Sequence, residues 1–316
     1  MLAICAENHT VNQDNKGNKA MKKSHRIQLK IACMVLLMPW ATAAQATLVG
    51  YWDFNEGSGQ NVSDSSVFNN AGVLGTTGGA DATDPTWVTG RTGAGTALSF
   101  DRADFQRVTI ADAGASSLDI GSAELNDAMT LSAWVNYADN ANQTILAKAD
   151  TNIGNYEIVS HTGIMQMSYR DAVTGIHQPA QTGTPLSTGV WVHLAAVLEE
   201  DGAGNTSVTF YRDGEQLGST VTQIANFAQV NNQPLLIGVR NDGFGPFEGM
   251  IDDVAIWSEA LSASQIAGLA DGTLTPLNAT AIPEPSSLAL LGLGVVGLWF
   301  AGKRGRNRSA AASRFV

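Results

Sequence analysis

The stretch Met129-Thr130-Leu131-Ser132-Ala133-Trp134-Val135-Asn136 alternates with period two, which predicts a strand that gives one face to a core. Working outward, Gly163-Ile164-Met165-Gln166-Met167-Ser168-Tyr169 and Trp191-Val192-His193-Leu194-Ala195-Ala196-Val197 keep the same period. Ser207 to Arg212 and Glu215 to Ser219 flank Asp213-Gly214, a pair that tolerates positive φ and so favours a two-residue hairpin. Turn-rich stretches, Gly72 to Gly95 and Asp201-Gly202-Ala203-Gly204-Asn205, separate such runs. One helix is predicted from Ser262 to Leu269, with Ser262 as N-cap, Gln265 completing a capping box and Asp271-Gly272 closing it. Many short antiparallel strands with a single late helix predict an all-β, two-sheet sandwich.

The C-terminal end has a different chemistry. Ala281-Ile282-Pro283-Glu284-Pro285-Ser286-Ser287 precedes an uncharged run, Leu288 to Ala301, and then Gly302-Lys303-Arg304-Gly305-Arg306-Asn307-Arg308. The prolines halt any preceding structure, the apolar run can satisfy its own backbone as a helix in lipid, and the basic cluster favours the cytoplasmic side. This three-part ending closely resembles the PEP-CTERM sorting signal of Gram-negative, exopolysaccharide-producing bacteria. The resemblance implies a C-terminal transmembrane sorting helix, transient inner-membrane anchoring, and removal by an exosortase at or near Pro283, Glu284 and Pro285. The apolar run falls short of the roughly 20 residues of a comfortable span, which suits a processed tail better than a lasting anchor.

At the other end, Met21-Lys22-Lys23 opens a basic stretch that includes Arg26 and Lys30. An apolar core from Ile31 to Ala41 follows, and then the small-residue pattern Ala44-Gln45-Ala46. This predicts a signal peptide over residues 1–46, with Met21 as its expected start, export by the Sec machinery and cleavage after Ala46. The expected order is signal peptide 1–46, folded domain 47–272, linker 273–282, sorting signal 283–308 and tail 309–316. Between Thr47 and Ile282 there are seven Lys and Arg against 26 Asp and Glu, a formal net charge of −19. Such a surface repels nucleic acid and anionic membrane, and suits neutral glycans or divalent cations. Both cysteines, Cys5 and Cys33, precede the cleavage site, so the exported domain has no disulfide to rest on.

The domain itself resembles the laminin-G-like branch of the concanavalin A-like jelly rolls. Leu48-Val49-Gly50-Tyr51-Trp52-Asp53-Phe54-Asn55-Glu56-Gly57-Ser58-Gly59 matches that family's first strand and turn, and Asp64-Ser65-Ser66 with Asn69-Asn70-Ala71-Gly72 matches its next loop. Gly249-Met250-Ile251-Asp252-Asp253-Val254-Ala255-Ile256-Trp257, then Ala260-Leu261-Ser262 and Gln265-Ile266, matches its closing strand and helix. The resemblance implies a jelly-roll sandwich over about 48–270, with Trp52, Trp134 and Trp257 in the core. It also implies a structural calcium at the rim, which Asp64, Asp252 and Asp253 would hold through hard oxygen ligands. In a regular strand Asp252 and Asp253 would point to opposite faces.

No catalytic residue is assigned. A glucanase on this scaffold needs paired carboxylates at alternate strand positions, and no such triplet occurs; Glu199-Glu200-Asp201 reads as a solvated strand end. His161, His177 and His193 accompany no nucleophile elbow or cysteine, and His193 reads as a framework position. Glycan recognition needs aromatic platforms and planar polar groups, for which Tyr156, Tyr169 and Arg240 are the candidates, with Phe244 and Phe247 nearby. The expected function is a non-enzymatic glycan-binding or adhesive module, secreted or at the cell surface, with extracellular polysaccharide as its partner. The alternatives are a structural acidic matrix protein without a specific ligand, or a glycosidase or lyase.

Overall fold

The computed structural model describes residues 47–279, apart from 113–115, 122–126, 151–153, 172–173, 175–176 and 228–230. The expected signal peptide with Ala44 and Ala46, and the sorting segment with Pro283, Glu284, Pro285 and its helix, lie outside the described residues. With strands numbered in chain order, the first sheet runs β14 (Glu215–Gln216), β13 (Asn205–Arg212), β12 (Val192–Glu200), β7 (Ala128–Tyr137), β17 (Gly249–Trp257), β5 (Thr96–Phe100) and β4 (Thr86–Thr89). β1 (Leu48–Trp52) joins it beside β17, and β15 (Val221–Ile224) beside β13. The second sheet runs β11 (His177–Pro185), β10 (Ile164–Arg170), β9 (Gly154–His161), β8 (Gln143–Ala149), β16 (Leu235–Ile237), β6 (Val108–Ile110), β3 (Gly72–Leu74) and β2 (Asn61–Val62). All of these ladders are antiparallel, and the two sheets make the jelly-roll sandwich that the sequence led one to expect.

The alternation in the opening stretch is realised as β7. Met129, Leu131, Ala133, Val135 and Tyr137 are buried in the main core, with Val192, Leu194, Ala196 and Leu198 of β12 beside them. Ile158 of β9 and Met165 and Met167 of β10 belong to the same core. Burying a side chain of this size contributes about 1.5–3 kcal/mol, so the sandwich stands on its core without a disulfide. The hairpin forms at the expected pair, with Asp213 at φ 52° and Gly214 at φ 84°.

Helix α1 (Ala263–Asp271) starts at the expected cap, where the Ser262 side chain and the Gln265 backbone and side chain form a capping box. Its Ile266 and Leu269 pack on the outer face of the first sheet, against Tyr51, Ala195, Val197, Tyr211, Ala255 and Trp257. The segment 273–279, expected as linker, belongs to the folded body. Leu274 donates its N–H to the Gly268 carbonyl, Gln265 donates from Nε2 to the Ala279 carbonyl, and Ala279 is fully buried.

β17 breaks the regular alternation. Its register against β7 shifts between Asp252 and Ala255, and Asp253 takes φ 48°. This bulge puts both aspartates within reach of the same arginine, which corrects the expectation of one carboxylate on each face. Trp52 and Trp257 are fully buried as expected, whereas Trp134 stands half-buried on the outer face.

Candidate functional site

Helix α1 divides the outer face of the first sheet into two unlike regions. On one side is a cleft of about 500 Å³, floored by Val197 and Glu199 of β12 and Thr209 and Tyr211 of β13, and walled by Ala260 to Gln265. Side chains of alternate residues on paired strands bring this set together, since Val197 is opposite Thr209 and Ala195 opposite Tyr211. Burial and the nearby Glu199 carboxylate push the Tyr211 hydroxyl up, so it remains a proton donor at neutral pH. Glu199 is exposed and is the single carboxylate among the described lining residues. The Tyr211 ring itself is buried against α1, so the cleft offers a hydroxyl donor and an acceptor at its floor, and its lining holds a single carboxylate rather than the pair that glycoside hydrolysis uses.

On the other side, the end of α1 and residues 272–276 close over a cavity of about 140 Å³. Arg91 lies 4.2 Å above the Trp134 ring and pairs with Asp253 Oδ2 at 3.3 Å, while the Tyr51 hydroxyl donates to Asp253 Oδ1 at 2.7 Å. His193 packs beside Trp134 with ring centroids 5.3 Å apart. Burial, then the Arg91 charge, holds the imidazole down at about 3, so it is neutral, and its Nδ1 is buried without a partner. Asp252 is driven the other way, to about 7, by burial and then by the adjacent Asp253 charge. The framework reading of His193 fits this geometry.

The structure does not bring the three expected calcium ligands, Asp64, Asp252 and Asp253, together at one point. Asp64 is already saturated: Oδ1 accepts from the Tyr51 and Ser66 N–H groups at 2.8 Å each, and Oδ2 from Ser66 Oγ at 2.6 Å and the Asn70 N–H at 2.7 Å. Tyr51 spans the gap, giving its N–H to Asp64 and its hydroxyl to Asp253, so the carboxylates sit at opposite ends of a tyrosine. Asp253 is paired with Arg91, and Asp252, raised to about 7, is only about half ionised at neutral pH. Among the described residues no group of three or more His, Cys, Asp or Glu side chains converges on a metal position. Asp64 instead fastens the loop that follows β1.

The expected glycan contacts are also redistributed. Tyr156 and Tyr169 are fully buried, their hydroxyls donating to the Leu118 carbonyl at 3.0 Å and to Gln223 Oε1 at 2.9 Å, so neither offers a stacking surface. Phe247 is also core, stacked with Tyr137 and Phe100. Arg240 does lie at the surface of the second sheet. It makes a two-pronged pair with Asp242 at 2.9 Å, contacts Glu157 at 3.4 Å and lies 4.4 Å over Phe244. Sequence reasoning missed Tyr211 and Glu199 as a pair. No local signal could have found it, because only the register places Glu199 and Tyr211 on one face of adjacent strands.

Residues 112–267 match the family model of the concanavalin A-like lectin/glucanases superfamily, in its laminin-G form, and residues 281–306 match the PEP-CTERM protein-sorting motif. The adhesion G-protein coupled receptor V1 of Danio rerio is 29% identical over 144 residues, which are 43% of this chain and only 2% of the receptor. Among solved structures, the binding domain of Paraclostridial Mosquitocidal Protein 1 superposes with a TM-score of 0.54 at 14% identity, covering 72% of this chain and 52% of that one. Domain 4 of AbnA, a GH43 extracellular arabinanase from Geobacillus stearothermophilus solved with arabinotriose, gives 0.50 at 20% identity, covering 72% of this chain and 99% of that one. At these identities the superpositions establish the fold alone. Residues 112–267 are thus similar to a laminin-G-type domain of the concanavalin A-like superfamily and residues 281–306 to a PEP-CTERM motif, and the two matches together support an exosortase-sorted extracellular protein.

Proposed function

We propose that the exported domain is a non-catalytic glycan-binding module that attaches to extracellular polysaccharide after the sorting tail is removed. The observation that carries this reading is the cleft beside the start of α1. At about 500 Å³ it lies within the size range of small-molecule sites, and the Tyr211 hydroxyl, Glu199 and Thr209 supply hydrogen-bonding groups of the kind that sugar hydroxyls need. The saccharide complex of the arabinanase domain, a fold relative, supports the same class of ligand. The PEP-CTERM match supports passage through the inner membrane of a Gram-negative cell, with anchoring until cleavage near Pro283 to Pro285.

The test is binding of the mature chain to a panel of neutral and acidic polysaccharides, with Tyr211→Phe and Glu199→Gln as variants. Each should weaken binding about tenfold, the worth of one hydrogen bond to a charged or well-placed group, while melting stays at the wild-type temperature. Binding that both variants leave intact would move the site elsewhere. No binding to any polysaccharide would favour the acidic matrix reading, for which the net charge of −19 between Thr47 and Ile282 is the supporting fact.

A further inference from the structure

Lys148 is the sole lysine between Thr47 and Ile282, and it is fully buried. It lies in β8, whose seven residues Gln143–Ala149 are all buried. Its ammonium meets four oxygens from three residues on two connections, β6–β7 and β15–β16: Asp112 Oδ2 at 2.7 Å, Asp119 Oδ1 at 2.7 Å, the Asn231 carbonyl at 2.6 Å and Asn231 Oδ1 at 3.2 Å. The Asp112 and Asp119 side chains are 0% and 4% exposed, so water does not share the load. The same segments are also stitched to one another. Asn231 donates its N–H to Asp119 Oδ1 at 3.3 Å and its Nδ2 to the Lys148 carbonyl at 3.4 Å, and the Tyr156 hydroxyl holds the neighbouring Leu118 carbonyl.

Two carboxylates, a carbonyl and an amide oxygen converging on one buried point are the ligand types that hard cations select. Here the point holds an ammonium, whose hydrogen-bond distances of 2.6–3.2 Å suit nitrogen rather than the closer approach calcium requires. We infer that Lys148 is the domain's built-in cation: it fills an oxygen cage of the kind that takes a metal ion and ties β8 to the two connections. The cage becomes a divalent-cation site only when the lysine is removed. In a domain without disulfides, this contact does the cross-linking. A buried ion pair is costly to break from one side, because the surviving charges are left uncompensated.

Melting of the mature chain, with chelator and with millimolar calcium, tests the assignment on Lys148→Ala and Lys148→Met. Wild type should melt at one temperature in both solutions. Both variants should lose about 10 °C in chelator, the shift expected for breaking a buried pair in a domain of this size. Calcium should restore at least half of the loss in Lys148→Ala, where space has opened. It should restore none in Lys148→Met, whose side chain fills the lysine's volume without its charge. A Lys148→Met protein as stable as wild type would overturn the inference, since the ammonium would then hold nothing. A Lys148→Ala protein that stays unfolded after refolding in calcium, or that folds but ignores calcium, would overturn it equally, because the oxygens would then not be a cation cage. A calcium-dependent shift in wild type would show that the lysine is not the cation in use.

Discussion

The two halves of the first sheet's outer face hold similar residue types and use them in opposite ways. Beside β17, Arg91, Asp253 and Tyr51 spend their polar atoms on one another, with Arg91 over Trp134, where residues 272–276 help line the cavity. Beside β13, Tyr211 and Glu199 line an open cleft. Both halves are bounded by the same nine-residue helix, one at its start and the other at its end. The lesson is that an aromatic next to a carboxylate on a sandwich face says little until it is known whether the chain folds back over it. Where it does, the polar groups secure the fold; where it does not, they remain free for a ligand.

The largest effect expected from this contrast is on the sealed side. Arg91→Ala removes the ion pair to Asp253 and the stacking on Trp134, and leaves Asp253, beside Asp252, facing the cavity without its cation. Chemical denaturation should show a loss of about 3 kcal/mol, toward the lower end for breaking a buried pair because this one is partly exposed. A loss no larger than that of a surface substitution would mean the cluster is not structural.

A smaller effect, with a sign that depends on pH, is expected at Asp252. Folding raises its pKa from 3.8 to about 7, so the folded chain holds a proton that the unfolded chain has already released. The contribution of this group to stability is therefore greatest below the lower value, falls as pH rises through the window, and is an unrelieved cost above about 7. Asp252→Asn should stabilise the domain at pH 8 by on the order of 2 kcal/mol and make little difference at pH 4. His193 works in the opposite direction, because its pKa is lowered from 6.5 to about 3 and stability is lost as pH falls between those values. Melting profiles of Asp252→Asn and wild type that run parallel from pH 4 to pH 8 would contradict the burial assigned to Asp252.

The smallest effect belongs to the open side. Glu199→Gln should change stability by no more than about 0.5 kcal/mol, as expected for an exposed group without a structural partner. A loss comparable to that of Arg91→Ala would show that the cleft is part of the structural framework, and would erase the distinction between the halves.

Much of the sandwich was legible in the sequence. β7, β10 and β12 show period two because one face meets the core and the other is partly polar, and the Asp213-Gly214 turn and the Ser262 cap are local devices with local signals. β8 and β16 were not legible, because every residue in them is buried and alternation vanishes. The surroundings of the expected calcium ligands and tyrosine platforms were hidden for a related reason. Asp64, Tyr156 and Tyr169 look like ligand-binding groups in one dimension, but each is consumed by hydrogen bonds to residues distant in sequence or by its own loop. The bulge at Asp252 and Asp253 also erased the face assignment that strict alternation predicts. Tyr211 and Glu199 come together through strand register, and Lys148 meets Asp112, Asp119 and Asn231 through loop closure; neither leaves a mark on the sequence.

The docking of residues 273–279 sets the length of the tether. Ala279 is buried with its carbonyl held by Gln265, and only residues 280–282 separate it from Pro283. Even fully extended, three residues reach about 10 Å. A peptidase acting at the Pro-Glu-Pro stretch must therefore work close against a folded body, and the trimmed product keeps almost no stalk. Gln265 also lines the cleft, so Ala279, whose carbonyl it holds, lies near the cleft's rim. A purification tag or fusion partner joined directly after Ala279 would crowd that rim, and a long flexible spacer is the safer choice.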